Sequence, residues 1–587
     1  MKRHEKSANQ DKIDQFCDSK GLSDIARLLN FKPKNLSYIL YTLDGGRENQ
    51  YTTFTIPKRS GGERVISAPV TGLKEIQRRL NELLQIIYWE RPSVHSFIKK
   101  RSIITNAIRH RHKRYIFNVD LKDFFPSINF GRVRGLFIAR PYKLDPKAAT
   151  VIAQIACYKN QLPQGAPSSP IISNMICSMM DKQFQNIAKK EKCIYTRYAD
   201  DITFSTNLED FPKAIGYSST DSIVVGDELN KIIKSNGFQI NEKKTNLQTP
   251  DMRQEVTGLI VNKFVNVRRK LVRQVRAMLY AWEKYGLSAA ESEHHTKYLS
   301  LPEDTDGPDF RNVVRGKIEF IRMVRSNNKP GNNQGRQKND YVAQKLLTKL
   351  FECLLREGDK PIIRTEGHTD WMHLSAAWEK LKTRKKYKGI DLDFLSVKEY
   401  KCYGNQVLLK FCRSANKLRP FPKKVICVFD SDDKKVNKKL GNALFKNWGN
   451  NVYSFILPSV PEFSANEVSI EMFHYKKTLK IKDDKFRRLF LSDEFDDEGK
   501  HKKLKNVTYG YDPIQKKKIP NWRGHLKGPT KIIDKGVFKK KGNKSFSLAL
   551  SKGYFARYIY KKENGFGRVN FDKFGVIFDK ILEIIKL

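Results

Sequence analysis

The spacing of apolar and polar positions in the first half of the chain predicts short helices, followed by mixed strands and helices. Short helices are expected over residues 1 to about 50, with a turn at Asp44-Gly45-Gly46. From Tyr51, the segment YTTFTIPKRSGGERVISAP places a Gly-Gly turn between two β-favouring runs and predicts a basic hairpin. Helical periodicity runs from about Leu73 to Tyr88, and mixed elements continue to about Phe264.

A basic amphipathic helix is predicted over Arg268 to Tyr285. Its apolar positions 271, 272, 275, 278, 279 and 282 share one face, and arginines occupy the other. The segment SNNKPGNNQGRQKND, Ser326 to Asp340, follows at some distance and contains only polar residues, Gly and Pro. This segment is the clearest linker, and it separates a long N-terminal part from a shorter C-terminal part.

Beyond the linker, apolar runs alternate with helical periodicity. A helix is expected near Tyr341 to Arg356, and it leads into the apolar strand PIIRTEG. A second strand of buried character, KVICVFDSDD, follows after an intervening helical stretch. Because strands that alternate with helices usually lie parallel in one sheet, an α/β domain is predicted for this half.

Length and charge limit the classes of protein that fit this pattern. A chain of 587 residues is long enough for two to four domains, and 39% hydrophobic residues suffice for real cores. Its 111 Lys and Arg against 63 Asp and Glu give a formal charge of +48, which points to a nucleic acid partner. An anionic membrane is the weaker candidate, because apolar runs such as LLQIIYW from Leu83 are too short to span one.

The N-terminal sequence and the cysteines point to a cytoplasmic protein. The opening MKRHEKSANQDK is charged and lacks an apolar core, so neither a signal peptide nor a membrane anchor is expected. Eight cysteines are scattered singly from Cys17 to Cys427, without a C-x-x-C pair. This spacing argues against zinc knuckles and is typical of reduced, buried thiols.

The last part of the chain is strongly basic. From Tyr475 to the end, 30 Lys and Arg stand against 13 Asp and Glu. Aromatic residues are interleaved with these lysines, and the segment is interpreted either as a stacking surface for nucleic acid or as a solvated face over a small core. The aromatic residues concerned are Trp522, Phe538, Phe546, Tyr554, Phe555, Tyr558 and Tyr560.

Three aspartates in the first half form a candidate metal site. Asp200 and Asp201 are adjacent in CIYTRYADDITFS, where a hairpin turn alone could explain them. Asp120 ends an apolar strand in RYIFNVDLKDFFPSI, eighty residues earlier. Three carboxylates from neighbouring strands could hold two Mg²⁺ ions, which is the arrangement that nucleotidyl transfer requires.

A loop between these motifs is the third recognisable feature. In LPQGAPSSPIISNMI, Gly165 allows close backbone approach, the prolines fix a bend, and a helix is expected to begin at Ser-Ser-Pro. The series TIPKRSGGERVISAP, DLKDFF, PQGAPSSP, YADD and GFQINEKKT resembles, in this order, the fingers and palm motifs of reverse transcriptases. NAIRH and VTG are similar to the N-A-x-x-H and V-T-G signatures of retron reverse transcriptases.

The resemblance covers about residues 20 to 325 and implies a right-hand polymerase. Its expected parts are an N-terminal helical extension over 1–50, fingers and palm over 51–264, a thumb over 265–325 and a linker over 326–340. The arginine face of the 268–285 helix would grip phosphates in the thumb. The implied partners are deoxynucleoside triphosphates and a structured noncoding RNA that serves as template and primer. DNA synthesis would start at the 2′-hydroxyl of an internal guanosine and give a branched RNA–DNA product.

The resemblance also assigns roles to individual residues. Asp120, Asp200 and Asp201 would be the metal ligands, and Phe125 would be an aromatic gate against a 2′-hydroxyl, unless it is an ordinary core residue beside Phe124. The other implied residues are Arg64 and Lys58 at the triphosphate, Gln164 at the nascent pair, Lys244 as the proton donor to pyrophosphate, and Asn106, His110, Val256, Thr257 and Gly258 at the RNA.

A second acidic set lies beyond the linker. Strand PIIRTEG ends in Glu366, with Asp370 four residues later, and strand KVICVFD ends in Asp430, with Asp432 and Asp433 just after it. Parallel strands would bring these carboxylates to one edge of a sheet. An E-G-x-x-D followed by D-x-D resembles the Toprim domain of topoisomerases, primases and certain nucleases.

The second resemblance implies a Toprim domain over 341–474, completed by a basic extension over 475–587. Glu366 would act as general acid or base, while Asp430 and Asp432, supported by Asp370, would hold one or two Mg²⁺ or Mn²⁺ ions. Glu471 is the candidate for the last ligand, with Glu467 and Glu462 as competitors. Lys552 resembles a late lysine of nuclease members, but among so many lysines it is interpreted as a surface residue.

The preferred hypothesis is a bifunctional retron protein, in which a polymerase makes branched DNA and a Toprim nuclease acts in antiphage defence. One alternative is a mobile-element reverse transcriptase with a DNA-nicking domain, and another is a ribonucleoprotein scaffold with an inactive Toprim domain. Whether the second half cuts DNA or RNA, what triggers it and whether the chain self-associates all stay open.

Overall fold

In the computed structural model the chain folds as two units. The first contains Met1–Val272 and Phe320–Lys338, and the second contains Arg273–Glu319 and Asn339–Leu587. The structure describes all residues except 1–2, 43–48, 58–61, 220–221, 300–306, 327–339, 397–402, 432–437, 442–444, 464–467, 514–516 and 543. The predicted Asp44-Gly45-Gly46 turn and nearly all of the predicted linker therefore lie outside the described residues.

Among its described residues, the first unit contains ten complete α-helices and eleven short strands. The helices are α1 (Arg3–Cys17), α2 (Leu22–Leu28), α3 (Pro33–Ser37), α4 (Thr71–Ile87), α5 (Ile103–Ile108), α6 (Phe130–Ile138), α7 (Pro146–Ala156), α8 (Ser169–Ile176), α9 (Ser178–Lys190) and α10 (Asp227–Ser235). The strands are β1 (Tyr51–Pro57), β2 (Glu63–Pro69), β3 (Tyr115–Lys122), β4 (Ile194–Tyr198), β5 (Asp201–Thr206), β6 (Gly216–Ser218), β7 (Ile223–Val225), β8 (Gln239–Ile240), β9 (Asn246–Gln248), β10 (Glu255–Val256) and β11 (Leu259–Ile260).

The N-terminal sheet, formed by β3, β4, β5, β8 and β9, carries the first acidic motifs. Its strand order is β4-β5-β3-β8, and β9 pairs with the beginning of β3. All of its pairings are antiparallel. Phe117 and Phe204 face each other in register and are both fully buried under the surrounding helices. The sheet is therefore a rigid platform for the residues at its end.

The hairpin and the helix predicted for residues 51 to 88 are confirmed. Strands β1 and β2 pair over their whole length, from Tyr51 opposite Pro69 to Pro57 opposite Glu63. Helix α4 buries Ile76, Leu80 and Leu84 in the same core as the N-terminal sheet. The helix predicted at Ser-Ser-Pro also begins as expected, because α8 starts at Ser169 with a proline in its first turn.

The predicted basic amphipathic helix is present as α11 (Arg269–Tyr285). Val275, Met278, Leu279 and Trp282 are its buried residues, as the apolar spacing predicts. Arg273 and Arg276 on the same helix are exposed. Two further helices, α12 (Leu287–His294) and α13 (Phe310–Ser326), follow it.

The second unit alternates helices and strands before ending in short strands and two helices. Its further helices are α14 (Tyr341–Leu354), α15 (Asp370–Leu381), α16 (Asn405–Ser414), α17 (Lys476–Leu479), α18 (Trp522–Leu526), α19 (Lys552–Lys561) and α20 (Gly575–Lys586). Its strands are β12 (Ile362–Thr365), β13 (Asp393–Phe394), β14 (Val425–Phe429), β15 (Lys446–Asn447), β16 (Val452–Ile456), β17 (Phe490–Leu491), β18 (Val507–Tyr509), β19 (Tyr511–Asp512), β20 (Lys517–Lys518), β21 (Ile532–Ile533), β22 (Val537–Lys541) and β23 (Lys544–Ser547).

The C-terminal sheet, formed by β12 to β16, is mixed and mostly parallel. Its order is β13-β12-β14-β16-β15, and only the β15–β16 pair is antiparallel. Ile363 and Ile426 face one hydrophobic cluster with α15, α19 and α20, whereas Ile362 and Val425 face another with α14 and α16. Burial of both faces explains why β14 is continuously apolar in sequence, whereas β12 buries the polar residues Arg364 and Thr365 as well.

The basic C-terminal segment contributes to the core as well as to the surface. Phe538, Phe555 and Tyr558 are buried, so the interpretation of all seven aromatic residues as a stacking surface is wrong for these three. Phe546, Tyr554 and Tyr560 keep between 42% and 51% of their surface exposed. A base could therefore stack only on the exposed members of the set.

No helix in the described part of the chain is long and apolar enough to cross a membrane. The described cysteines are all free thiols, and most of them are buried.

Candidate functional site

The N-terminal sheet brings the three aspartates of the first motif together. Asp120 on β3 lies directly opposite Asp201 on β5, and Tyr198 at the end of β4 also pairs with Asp201. Asp200 lies in the two-residue turn between β4 and β5, and its carbonyl accepts a hydrogen bond from the Leu121 backbone at 3.1 Å. We refer to Asp120, Asp200 and Asp201 as the first acidic cluster.

The turn that presents Asp200 is fixed by residues that the sequence did not single out. Ala199 has a φ of +57°, an unusual value for a residue other than glycine. Its N–H donates to the Ser96 hydroxyl at 2.8 Å, and its carbonyl accepts from the Arg197 guanidinium at 3.1 Å. These two bonds hold the strained backbone in place.

Arg197 is itself anchored by a buried ion pair. Its guanidinium donates to both carboxylate oxygens of Asp181, at 2.7 and 2.9 Å, and neither side chain has exposed surface. The Tyr195 hydroxyl donates to the same carboxylate at 2.6 Å. An arginine inside an otherwise apolar strand was the available sequence signal for this network, since such a charge requires a buried partner.

The carboxylates of the first acidic cluster destabilise one another's charges. Burial, followed by the charges of Asp200 and Asp120, raises the pKa of Asp201 to about 7. Burial and the charge of Asp120 also raise the pKa of Asp200. Because a divalent cation would relieve this repulsion, the hard oxygen donors present here fit Mg²⁺.

Lys244 provides a positive charge at the cluster. Its ammonium lies 3.0 Å from both carboxylate oxygens of Asp120, and the Asn241 amide donates to one of them at 3.0 Å. Burial lowers the pKa of Lys244, but the hydrogen bond to Asp120 and the three aspartate charges outweigh it and raise the pKa. Among the described residues, no group of three or more His, Cys, Asp or Glu side chains is already arranged to hold a metal.

The hairpin and the PQG loop meet beside this cluster. The Ser67 N–H on β2 donates to the Gln164 carbonyl at 2.8 Å. Gly165 has a φ of +121°, and a Cβ there would lie 2.9 Å from the Ser67 carbonyl oxygen, so the predicted close approach is confirmed. Arg64 on β2 is near enough to lower the pKa of Asp200 by its charge. Lys58 lies outside the described residues.

The two neighbouring phenylalanines face different environments. Phe124 is buried and stacks on Phe238, with ring centroids 5.6 Å apart. Phe125 is half-buried and lies 6.4 Å from the ring of Phe97. Phe124 is therefore the core residue of the pair, which leaves Phe125 available for the gate role.

The N-A-x-x-H residues lie inside the first unit. Asn106 and His110 have no exposed surface. The two ring nitrogens of His110 lie 2.7 Å from the hydroxyls of Ser205 and Thr196, on two strands of the N-terminal sheet. Their burial argues against direct contact of these side chains with RNA and favours a role in fixing the fold.

The V-T-G residues form the turn of the β10–β11 hairpin. Val256 is buried opposite Leu259, while Thr257 and Gly258 have φ values of +48° and +77°. Two consecutive positive φ values are typical of a tight type I′ hairpin. The Thr257 hydroxyl lies 3.4 Å from the Ile103 carbonyl at the start of α5, so the two signature motifs are neighbours. Only Thr257 and Gly258 of the V-T-G set could reach a partner.

A second acidic cluster lies at the C-terminal edge of the C-terminal sheet and consists of Asp370, Asp430 and Glu471. Asp370 begins α15, and its carboxylate accepts from the Gly367 N–H at 2.6 Å. Burial, with the charge of Glu471, raises the pKa of Asp370 to about 7. Asp430 directly follows β14, and Glu366 directly follows the neighbouring parallel strand β12.

Lys552, interpreted from the sequence as a surface residue, contacts this cluster although 37% of its side chain is exposed. Its ammonium lies 2.9 Å from a carboxylate oxygen of Glu471, and it interacts electrostatically with Asp430. Burial raises the pKa of Glu471, but the Lys552 charge, with His373 and hydrogen bonds to Lys552 and Ser469, outweighs it and lowers the pKa. One lysine among many carried no distinguishing sequence signal, so only the fold identifies it.

The other candidate residues of the second motif are Glu462, Asp432, Asp433 and Glu467. Glu462 forms an ion pair with Lys573 at 2.6 Å, and its side chain is 45% exposed. Between Glu462 and Glu471, Glu471 is therefore the better candidate for the last metal ligand. Asp432, Asp433 and Glu467 lie outside the described residues. Behind Asp370 and Glu471, the buried rings of His373 and His474 lie in hydrogen-bonding contact at 3.0 Å, a pair that the sequence did not indicate.

An antiparallel sheet that presents three carboxylates, beside a hairpin against which Gly165 packs, fits the palm of a polymerase of the reverse transcriptase class. Residues 56–301 match the family model described as reverse transcriptase (RNA-dependent DNA polymerase). The chain is 32% identical over 296 residues to the Retron Ec86 reverse transcriptase of Escherichia coli, which covers 50% of this chain and 87% of that protein. The chain therefore belongs to the retron reverse transcriptase family.

The chain is also similar to a second retron enzyme and to a solved structure. The Retron Mx65 reverse transcriptase of Myxococcus xanthus is 37% identical over 251 residues, covering 40% of this chain and 56% of that protein. Among solved structures, the chain is similar to telomerase from Candida albicans in complex with a TWJ fragment of telomeric RNA. The similarity covers 52% of this chain and 63% of the telomerase chain. The identity is 15% and the TM-score is 0.28.

Proposed function

We propose that the first acidic cluster is the polymerase centre of a retron enzyme that copies its own structured noncoding RNA into branched DNA. The observation that carries the proposal is the register of Asp120 opposite Asp201, with Asp200 in the adjoining turn. These three carboxylates would hold two Mg²⁺ ions. When bound, the metal supplies the charge that lowers the pKa of the attacking hydroxyl and steadies the departing pyrophosphate.

The surrounding residues have complementary roles in this proposal. Arg64 of the hairpin would neutralise the triphosphate, and Lys244, already beside Asp120, would donate a proton to the leaving pyrophosphate oxygen. The half-buried ring of Phe125 would exclude a 2′-hydroxyl on the incoming nucleotide. Gln164 would contact the nascent base pair. Its backbone carbonyl accepts a hydrogen bond from Ser67 of β2, which fixes its position beside the hairpin.

The RNA partner would serve as template and primer, with synthesis starting at a guanosine 2′-hydroxyl. The formal charge of +48 supports a polyanionic partner. Within the signature motifs, Thr257 and Gly258 are the residues proposed to contact the RNA. Asn106, His110 and Val256 would hold that hairpin and the N-terminal sheet in position.

Co-expression with the neighbouring genomic segment tests the polymerase proposal. Wild-type protein should yield a branched RNA–DNA product, detected by its size change after debranching. Asp200→Ala/Asp201→Ala should abolish the product without loss of folded protein. Asp251→Asn, an exposed aspartate of the same unit, is the matched control and should leave the yield unchanged. Product from the double variant would refute the assignment.

We also propose that residues 341–474, completed by the basic extension over 475–587, form a Toprim nuclease that acts as the effector in antiphage defence. The supporting observation is the convergence of Asp370, Glu471 and Lys552 at the edge where β12 and β14 deliver Glu366 and Asp430. Asp430, Asp432 and Glu471 would hold Mg²⁺ or Mn²⁺, with Asp370 supporting. Glu366 would act as general acid or base at the scissile phosphate.

The nuclease proposal has its own test. Glu366→Gln should preserve the branched product and abolish phage protection, whereas Glu379→Gln, a surface glutamate paired with Lys562, should preserve both. Unchanged protection by Glu366→Gln would exclude the effector role and favour an inactive scaffold. Absence of an inverted-repeat RNA gene beside the coding sequence, together with DNA nicking by the protein, would favour the mobile-element alternative.

A further inference from the structure

A cavity of about 310 Å³ opens in the second unit, outside both acidic clusters. Its volume lies at the lower end of the range typical of small-ligand sites, about 300–1,000 Å³. Its walls come from β19, the loop before β22 and the start of β22, the segment from the end of β23 to the first turn of α19, and Arg487. The residues used below are Arg487, Asp512, Asp534, Phe538, Ser551 and Tyr554. We refer to it as the Tyr554 cavity.

The Tyr554 cavity adjoins the second acidic cluster. Ser551 and Tyr554 flank Lys552 in the first turn of α19, where the Ser551 hydroxyl accepts from the Tyr554 N–H. The Lys552 ammonium contacts Glu471 at 2.9 Å and also interacts electrostatically with Asp534. One lysine therefore lies between the cavity wall and the carboxylates.

The walls combine an aromatic ring with a fixed cation. Arg487 donates two hydrogen bonds to one oxygen of Asp483, at 2.9 and 2.7 Å, and the Asp483 side chain has no exposed surface. The guanidinium lies 5.3 Å from the centre of the Tyr554 ring. Tyr554 is 48% exposed, and the buried ring of Phe538 also lines the cavity. A planar ring and a planar cation whose positions are set in advance are suited to a flat, uncharged aromatic ligand.

The polar atoms of the cavity select among such ligands. Asp512 and Asp534 place carboxylates in the wall, and ionised carboxylates can only accept hydrogen bonds. A ligand that presents adjacent N–H donors on one edge would satisfy both oxygens of one carboxylate. Among the nucleobases guanine has such an edge, whereas thymine and uracil present a single N–H between two carbonyls.

The rim of the cavity suits a ligand that is part of a polyanion. Lys535 lines the cavity, and Lys539, Lys540 and Lys541, which follow Phe538 on β22, are exposed; Lys540 lies on the same face of the strand as Phe538. Exposed lysines of this kind follow a phosphate backbone without reading its sequence. A free nucleoside would not need them, whereas a nucleotide within a strand would.

We propose that the Tyr554 cavity binds one unpaired guanine base of a single-stranded nucleic acid and thereby places a neighbouring phosphate at the second acidic cluster. The placement of the phosphate rests on the nuclease function proposed above. Binding of the base does not, because none of the cavity residues named here belongs to the acidic cluster. The base would stack on Tyr554 and be read by Asp534, while the lysine rim would hold the backbone.

Titration calorimetry of the full-length protein with dGMP and dTMP tests base binding. Wild-type protein should bind dGMP at least tenfold more tightly than dTMP, and Tyr554→Ala should weaken dGMP binding by about tenfold or more. Tyr554→Phe keeps the ring and should retain binding, and Asp534→Asn should remove the preference for guanine. Tyr560→Ala, a tyrosine of similar exposure on the same helix, is the control and should match wild type.

Equal binding of dGMP and dTMP, or retention of dGMP binding by Tyr554→Ala, would overturn the cavity assignment. Cleavage of single-stranded DNA and RNA oligonucleotides that contain one guanine separates this outcome from failure of the nuclease proposal. If neither oligonucleotide is cut but dGMP binds as expected, the base-binding proposal is supported and the nuclease proposal is refuted. If oligonucleotides with and without guanine are cut equally well, and Tyr554→Ala cuts like wild type, only the base-binding proposal is refuted.

Discussion

At the scale of single residues, the presentation of the first acidic cluster depends on a buried charge network. The Asp200 turn depends on Ala199, whose carbonyl is held by Arg197, which is held in turn by Asp181. A buried ion pair contributes little net free energy of folding, but removal of one partner leaves an unpaired charge in the core. The position of Asp200 therefore depends on Asp181, a buried residue outside the first acidic cluster.

Asp181→Ala should lower the free energy of unfolding by about 3–5 kcal/mol, because Arg197 would stay buried without its partner. Asp181→Asn should lose less, since the amide oxygen can still accept from Arg197 and Tyr195. Urea unfolding followed by circular dichroism measures both variants, with Asp251→Asn expected to stay within about 0.5 kcal/mol of wild type. Near wild-type stability of Asp181→Ala would show that Arg197 finds another partner.

His110 makes a second residue-scale prediction, on acid stability. Burial lowers the pKa of His110 to about 3, well below its ordinary value near 6.5. The unfolded state therefore binds a proton that the folded state does not, and the contribution of His110 to stability falls as the pH drops from 6.5 towards 3. At pH 5 this loss amounts to about 2 kcal/mol relative to pH 7.5.

His110→Gln should remove this part of the pH dependence. Protection factors from hydrogen exchange in β4 and β5, which carry the partners Thr196 and Ser205, are the measurement. The difference in protection between pH 7.5 and pH 5 should be smaller in the variant than in wild type. Identical pH dependence would mean that His110 can be protonated within the fold.

At the scale of elements, the contact between the PQG loop (residues 163–165) and β2 leads to a prediction about nucleotide incorporation. Gly165→Ala would place a Cβ 2.9 Å from the Ser67 carbonyl oxygen, at a φ that L-residues rarely adopt. The loop or the hairpin would have to move, and Arg64 would move with it. We expect nucleotide incorporation to fall by roughly tenfold or more, since a displacement of about 1 Å near reacting groups can reduce a rate by about a hundredfold.

The control for this glycine is Gly135→Ala in α6, where a Cβ would meet no atom within 4 Å. Because alanine favours helices over glycine, this variant should be neutral or slightly more stable. Primer extension on a fixed template measures both. Wild-type incorporation by Gly165→Ala would show that the close approach is not needed for activity.

The elements differ in how well the sequence predicts them. The hairpin, α4, α8, α11 and the neighbouring parallel strands β12 and β14 follow from apolar periodicity and turn residues, since local sequence decides them. The meeting of Lys552 with Glu471 could not be predicted, because it depends on how α19 packs against a sheet contributed by distant residues. For the same reason, periodicity did not distinguish the buried Phe555 from the exposed Tyr554.

At the scale of the whole molecule, the excess of basic residues predicts that binding of the proposed RNA partner is mainly electrostatic. A chain with a formal charge of +48 releases counterions from its partner on binding, so the logarithm of affinity should fall linearly with the logarithm of salt concentration. For six to ten phosphate contacts, the loss between 50 and 200 mM salt is about 10³–10⁵-fold on duplex DNA and smaller on single strands. A slope near zero would mean that base contacts, not charge, dominate.

The distribution of that charge can be tested with two variants of equal net charge. Arg273→Gln/Arg276→Gln removes two exposed positive charges from α11, and the slope should become shallower by about 0.7 per lost phosphate contact. Lys32→Gln/Lys34→Gln removes two exposed charges from the N-terminal helices and should leave the slope nearly unchanged. Filter binding of the noncoding RNA over a salt series measures both. Equal changes of the salt slope in the two variants would mean that overall charge determines affinity. The arginine face of α11 would then not contact the phosphates directly.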